Sequence, residues 1–142
     1  MQKNVSDGLP LPQRYGAIAT IVIGISMAVL DGAIANVALP TIAKDLNASP
    51  ASSIWIVNAY QIAIVISLLS LSFLGDMFGY RRVYQCGLVV FTLTSLFCAL
   101  SDSLHTLTLA RIAQGFGGAA LMSVNTALIR LIYPQRHLGR GM

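Results

Sequence analysis

Hydrophobic positions in this chain come in four long runs, separated by short stretches that carry most of the charge, proline and glycine. Tyr15 to Leu39 contains one charge, Asp31; Ser52 to Leu74 and Val83 to Ser101 contain none; Leu104 to about Leu131 contains Arg111 and Arg130. A hydrocarbon core about 30 Å thick needs about 20 apolar residues at 1.5 Å rise each, so every run is long enough to cross it. Lipid offers the backbone no hydrogen bonds, which makes the four runs helices. The breakers fit, with Leu39-Pro40 expected to end the first run, Ser49-Pro50 before the second, Gly75 and Gly79 bracketing a turn, and Tyr133-Pro134 closing the fourth. The reading is all-α: a tail over residues 1–14, spans at 15–39, 52–74, 83–101 and 104–131, and a polar end at 133–142.

Composition agrees. Of 142 residues 56% are hydrophobic, 10% are charged and none is glutamate, whereas soluble domains carry about a quarter charged residues. The net charge of +4 does not form an aromatic-interleaved basic stripe, so no nucleic-acid partner is expected. It reads as topology instead. Lys3 and Arg14 precede the first span, Arg81 and Arg82 lie between the second and third, and Arg130, Arg136 and Arg140 lie at or after the fourth, with only Lys44 in a loop on the other side. Basic residues collect on cytoplasmic loops, which places both termini in the cytoplasm and residues 41–51 outside. Trp55 and Tyr60 then begin the second span near the outer interface. A cleavable signal peptide, prompted by Ala33-Ile34-Ala35, is rejected because the apolar stretch exceeds a signal's apolar region and three more spans follow.

Polar residues inside spans carry the functional information. Asp31 sits past the middle of the first span, where an isolated carboxylate costs several kcal/mol unless neutral, paired or facing water. Each of those states suits uptake and release of protons; the alternative is a helix that ends early and leaves Asp31 in a loop. On a helical wheel Arg111, Gln114, Gly115, Gly118, Met122 and Asn125 share an arc of about 100°. That stripe should face the bundle, since guanidinium and amides are costly against lipid and glycine permits close helix approach. Snorkelling of Arg111 to the outer headgroups is the competing reading, and it leaves Gln114 and Asn125 unexplained. Gly16, Thr20, Gly24, Ala28 and Gly32 form a small-residue ridge suited to packing.

Other features are read as structural. Ser67, Ser70 and Ser72 can bond back to their own helix. Cys86 and Cys98, about 18 Å apart along one helix, cannot pair within the chain. His105 and His137 fall near opposite faces. No phosphate-binding loop, nucleophile elbow or metal-ligand spacing occurs, so no enzyme activity, cofactor or metal is expected.

Three motifs together resemble the major facilitator superfamily, from about Leu30 onward. Leu30-Asp31 with Asn36-Val37-Ala38-Leu39-Pro40 is similar to the first-helix signature of its fourteen-helix drug:proton antiporters. Asp76, Gly79, Arg81 and Arg82 resemble the loop between helices two and three, whose role in the family is a cytoplasmic gate; Ser72 and Met77 depart from its usual glycine and basic residue, and positive-inside anchoring is the plainer reading of the arginines. Arg111-Ile112-Ala113-Gln114-Gly115-Phe116-Gly117-Gly118-Ala119-Ala120 resembles the fourth-helix motif, whose arginine is implicated in proton coupling. The resemblance implies four transmembrane helices of an incomplete N-terminal bundle, with Asp31 and Arg111 as coupling residues, in the inner (plasma) membrane of a bacterium. Implied partners are protons, small amphipathic substrates and the lipid bilayer, with self-association open. Two rivals are a metabolite or sugar facilitator of the same superfamily and a non-transporting four-helix membrane protein; a small four-helix multidrug exporter would need the membrane glutamate that is absent. A carrier needs two opposed repeats, so 142 residues alone are expected to insert but not to transport.

Overall fold

The computed structural model describes residues 11–45 and 49–132, apart from the side chains of Leu11, Leu39, Pro50 and Arg130. Four helices run in sequence: α1 (Leu11–Asp45), α2 (Pro50–Phe78), α3 (Tyr80–Ala99) and α4 (Leu104–Ile132). All four are long and apolar enough to cross a bilayer. Met1 to Pro10, Tyr133-Pro134, Arg136, His137 and Arg140, on which the sequence placed expectations, fall outside the described residues.

Local sequence explains the helix boundaries. Ser49 caps α2 by accepting from the Ser52 N–H at 3.1 Å, and Pro50 occupies the first turn, where a missing N–H costs nothing. Ser103 and Thr106 cap α4 reciprocally, each side chain accepting from the other's backbone N–H at 3.2 and 3.3 Å. Between α2 and α3 the chain reverses on Gly79, whose φ of +95° suits glycine alone. Two expectations for α1 give way. The helix starts at Leu11, so residues 11–14 are helical rather than tail, and it runs through Pro40 to Asp45. The apolar segment still ends at Ala38, and the helix continues past it because a proline that costs one helical hydrogen bond need not end a helix where the flanking turns hold.

Helix α4 is the centre of the assembly: half of its most apolar stretch is buried, a much larger share than in the other three. It packs most extensively on α2 and α3, and α1 is attached more lightly. Glycines make the close seams possible. A Cβ added at Gly117 would lie 2.7 Å from the Phe91 backbone nitrogen, and one at Gly115 would lie 2.8 Å from the Tyr60 carbonyl oxygen. Gly87 faces Ala120 in the same way, and the core fills in around Phe91, Leu121 and Val124. Of the α1 ridge, Gly24 takes the Tyr84 hydroxyl and Ala28 is buried, while Gly16 and Gly32 meet nothing. Most of the large side chains pointing outward are Val, Ile, Leu and Phe, the surface lipid requires.

Candidate functional site

The polar residues flagged inside the spans converge on one place in the core. Gln114, fully buried on α4, stands one turn beyond Arg111, which is 8% exposed. The Arg111 Nη1 group donates to Asp31 Oδ2 at 2.7 Å and to Gln114 Oε1 at 2.9 Å. Gln114 Nε2 donates to Asp31 Oδ1 at 2.9 Å and to Ser95 Oγ at 2.7 Å. The Cys98 thiol points at Gln114 Oε1 from 3.6 Å. Helices α1, α3 and α4 are thereby joined through one amide, and α2 adds the Tyr60 ring, whose centroid lies 5.9 Å from the Arg111 guanidinium carbon.

Charge balance explains the arrangement. An ionised carboxylate and a guanidinium in low dielectric each need a partner, and the two form an ion pair with side chains 20% and 10% exposed. Neither early-termination of the first helix nor snorkelling of Arg111 occurs: Asp31 is within α1, and Arg111 points inward. Among the described residues, three buried side-chain polar atoms have no hydrogen-bond partner, namely Arg111 Nε, Tyr60 Oη and Asn125 Oδ1. A small cavity of about 50 Å³ opens beside Arg111 against Asn36, Tyr60 and Gln61. That volume has room for one or two water molecules.

The rest of the stripe is divided. Gly115 and Gly118 are buried, Gly118 next to the Tyr60 hydroxyl, and Asn125 is partly buried. Met122 is 42% exposed and lies off the packed face. The loop set lies at the turn between α2 and α3, apart from this cluster: Asp76, Gly79, Arg81 and Arg82 are all exposed, and Asp76 accepts a hydrogen bond from the Tyr80 hydroxyl. Sequence reasoning missed Ser95, Cys98 and Tyr60 as members of the cluster. Their spacing carried no signal, because each becomes a neighbour of Arg111 only through packing of different helices. Among the described residues no cluster of metal-ligating side chains occurs.

Four helices long and apolar enough to span a bilayer, with a buried ion pair across α1 and α4, define an integral membrane protein. Residues 21–142 match the family model described as Major Facilitator Superfamily, and the chain belongs to that family. It is 87% identical over all 142 residues to "Uncharacterized transporter YebQ" of Escherichia coli, 33% identical over 93% of its length to "Riboflavin transporter RibZ" of Clostridioides difficile, and 39% identical over 81% to "Putative multidrug resistance protein MdtD" of Salmonella paratyphi B. The chain spans 31%, 29% and 24% of those relatives.

Proposed function

We propose that this chain supplies part of the N-terminal half of a proton-coupled exporter in the bacterial inner membrane, which moves small amphipathic compounds outward in exchange for protons. The observation that carries the reading is the buried Asp31–Arg111 pair with Gln114 bridging it. A proton arriving on Asp31 cancels the carboxylate charge and leaves Arg111 buried without its counter-ion, a state costing several kcal/mol that a conformational change can relieve. Proton binding is thus converted into a preference between two arrangements of the bundle. The cavity beside Arg111 supports the same reading by giving water a place near the pair. Asp76, Gly79, Arg81 and Arg82 would form the cytoplasmic gate, with both termini on that side.

The likeness to a multidrug resistance protein favours drug efflux, and the likeness to a riboflavin transporter supports a second reading as a metabolite carrier. The E. coli relative continues beyond the matched region, so the test exchanges residues 1–142 of this chain into it. Everted membrane vesicles are energised and movement of ethidium, Hoechst dye and riboflavin is followed. Proton-driven dye movement that disappears in Asp31→Asn, with equal protein in the membrane, is the expected result. Full dye movement by Asp31→Asn would overturn the proton role, and movement of riboflavin but no dye would favour the second reading.

A further inference from the structure

The geometry points to Gln114 as a positioning residue that turns proton arrival at Asp31 into release of Arg111, by rotation of its side-chain amide. This rests on Asp31 as the proton-carrying group. The amide has two donors and two acceptor sites, and four groups on three helices occupy all of them: Asp31, Ser95, Arg111 and Cys98. Its orientation is fixed twice over. Arg111 can only donate, so Oε1 must face it. The Ser95 hydroxyl donates to the Phe91 carbonyl at 2.8 Å, so its oxygen is left to accept, and Nε2 must face it.

In this orientation both carboxylate oxygens of Asp31 face donors, Oδ1 the Gln114 amide and Oδ2 the guanidinium. Each oxygen keeps a free lone pair on which a proton can settle, but the two side chains bonded to the carboxylate present only donors to it, so the new hydroxyl gains no acceptor from either in this orientation. The ionisable groups facing the site are Asp31 from α1, Tyr60 from α2, Cys98 from α3 and Arg111 from α4. Turning Gln114 over gives up its charge-assisted bond to the guanidinium, while Arg111 keeps Oδ2 of the protonated acid as a neutral acceptor and the other amide bonds can re-form. With the amide reversed, Oε1 accepts the new Oδ1–H. Ser95 can swing its hydroxyl from the Phe91 carbonyl to Oε1, and that carbonyl keeps Thr94 Oγ1 as a donor at 3.1 Å. Nε2 now faces Arg111 and Cys98. Donor meets donor at Arg111, which has lost the carboxylate charge and the amide acceptor in the same step. The balance is one proton delivered by hydronium: one O–H bond breaks in hydronium to leave a neutral water molecule, one O–H bond forms at Oδ1, and the cluster gains one unit of positive charge.

Cys98 reports the amide's orientation without any transported substrate. The protein is the exchanged E. coli relative with Cys86 and every other cysteine except Cys98 replaced, purified, and reacted with N-ethylmaleimide at one fixed pH. Asp31→Asn keeps an acceptor toward Arg111 and presents a donor to Gln114, as protonated Asp31 does, whereas Asp31→Ala presents neither. The expected result is alkylation of Cys98 several-fold faster in Asp31→Asn than in the parent, at parental speed in Asp31→Ala, and insensitive to Asp31→Asn once Gln114→Leu is present. Equal rates in the parent and Asp31→Asn would overturn the amide rotation, as would Asp31→Ala reacting as fast as Asp31→Asn. Loss of transport in Asp31→Asn with unchanged thiol rates would leave the proton role of Asp31 standing and remove that of Gln114.

Discussion

Removing one member of the ion pair should destabilise the bundle far more than removing both. Asp31 and Arg111 lie 2.7 Å apart with side chains 20% and 10% exposed, and Arg111 Nε has no partner. Asp31→Leu therefore leaves a buried guanidinium facing the neutral Gln114 oxygen in place of a counter-ion, and Arg111→Met leaves a buried carboxylate without its guanidinium, each a change of the kind that costs about 3–5 kcal/mol. In Asp31→Leu/Arg111→Met both charges go, apolar volume replaces them, and the cost should fall to about 1 kcal/mol or reverse sign. Subtraction leaves a coupling of several kcal/mol, well above the average of about 0.6 kcal/mol for an interhelical hydrogen bond in a membrane. The measurement is unfolding of the reconstituted exchanged protein by sodium dodecyl sulfate, followed by circular dichroism, for the four members of the cycle. Single-variant costs below about 1 kcal/mol that simply add would refute the reasoning, because that is how a solvated pair behaves.

Three further changes test the packing and the topology. Gly117→Ala places a methyl group against the Phe91 backbone, which cannot swing aside, and should cost about 1–3 kcal/mol in the same unfolding assay; a neutral result would show that α3 and α4 are less closely seated. Gly24→Ala should displace the Tyr84 hydroxyl from the Thr20 carbonyl, and Tyr84→Phe, which frees that space for about 1 kcal/mol of lost hydrogen bonding, should make Gly24→Ala nearly silent; equal effects of Gly24→Ala in both backgrounds would reject the contact. Single cysteines at positions 49 and 80, in a background lacking Cys86 and Cys98, should react with an impermeant thiol reagent in intact cells at 49 and not at 80, and the opposite pattern would invert the orientation.

The fold was legible because lipid imposes one rule everywhere: four runs of apolar residues long enough to span the bilayer leave the backbone only a helical solution. The helix ends were less so. Leu39-Pro40 reads as a stop by local energetics, but a proline in a long helix costs one hydrogen bond and the chain continued to Asp45. Asp31, Arg111 and Gln114 stood out because charge and amide are expensive inside a span, and cost is visible from sequence alone. Ser95, Cys98 and Tyr60 did not, since a serine, a cysteine and a tyrosine each have an ordinary structural explanation on a membrane helix until packing sets them around one guanidinium. Met122 shows the limit of the helical wheel, which treats a helix as having one face, whereas α4 is surrounded through its middle and changes neighbours along its length.

The glycine seams of α4 also determine how the bundle can deform. Where Gly117 meets the Phe91 backbone and Gly115 meets the Tyr60 carbonyl, main chain rests on main chain, and no flexible side chain lies between to absorb a displacement. Helices α2, α3 and α4 are therefore mechanically stiff with respect to one another. Helix α1 is held differently: beside the apolar contacts of Ile21 and Ala28, it is joined by the Tyr84 hydroxyl seated on Gly24 and by the Asp31 cluster, two polar contacts that make or break as units. Compliance is concentrated at the junction between α1 and the other three, so loss of a single charge on Asp31 acts where the bundle is softest and has a whole helix as its lever.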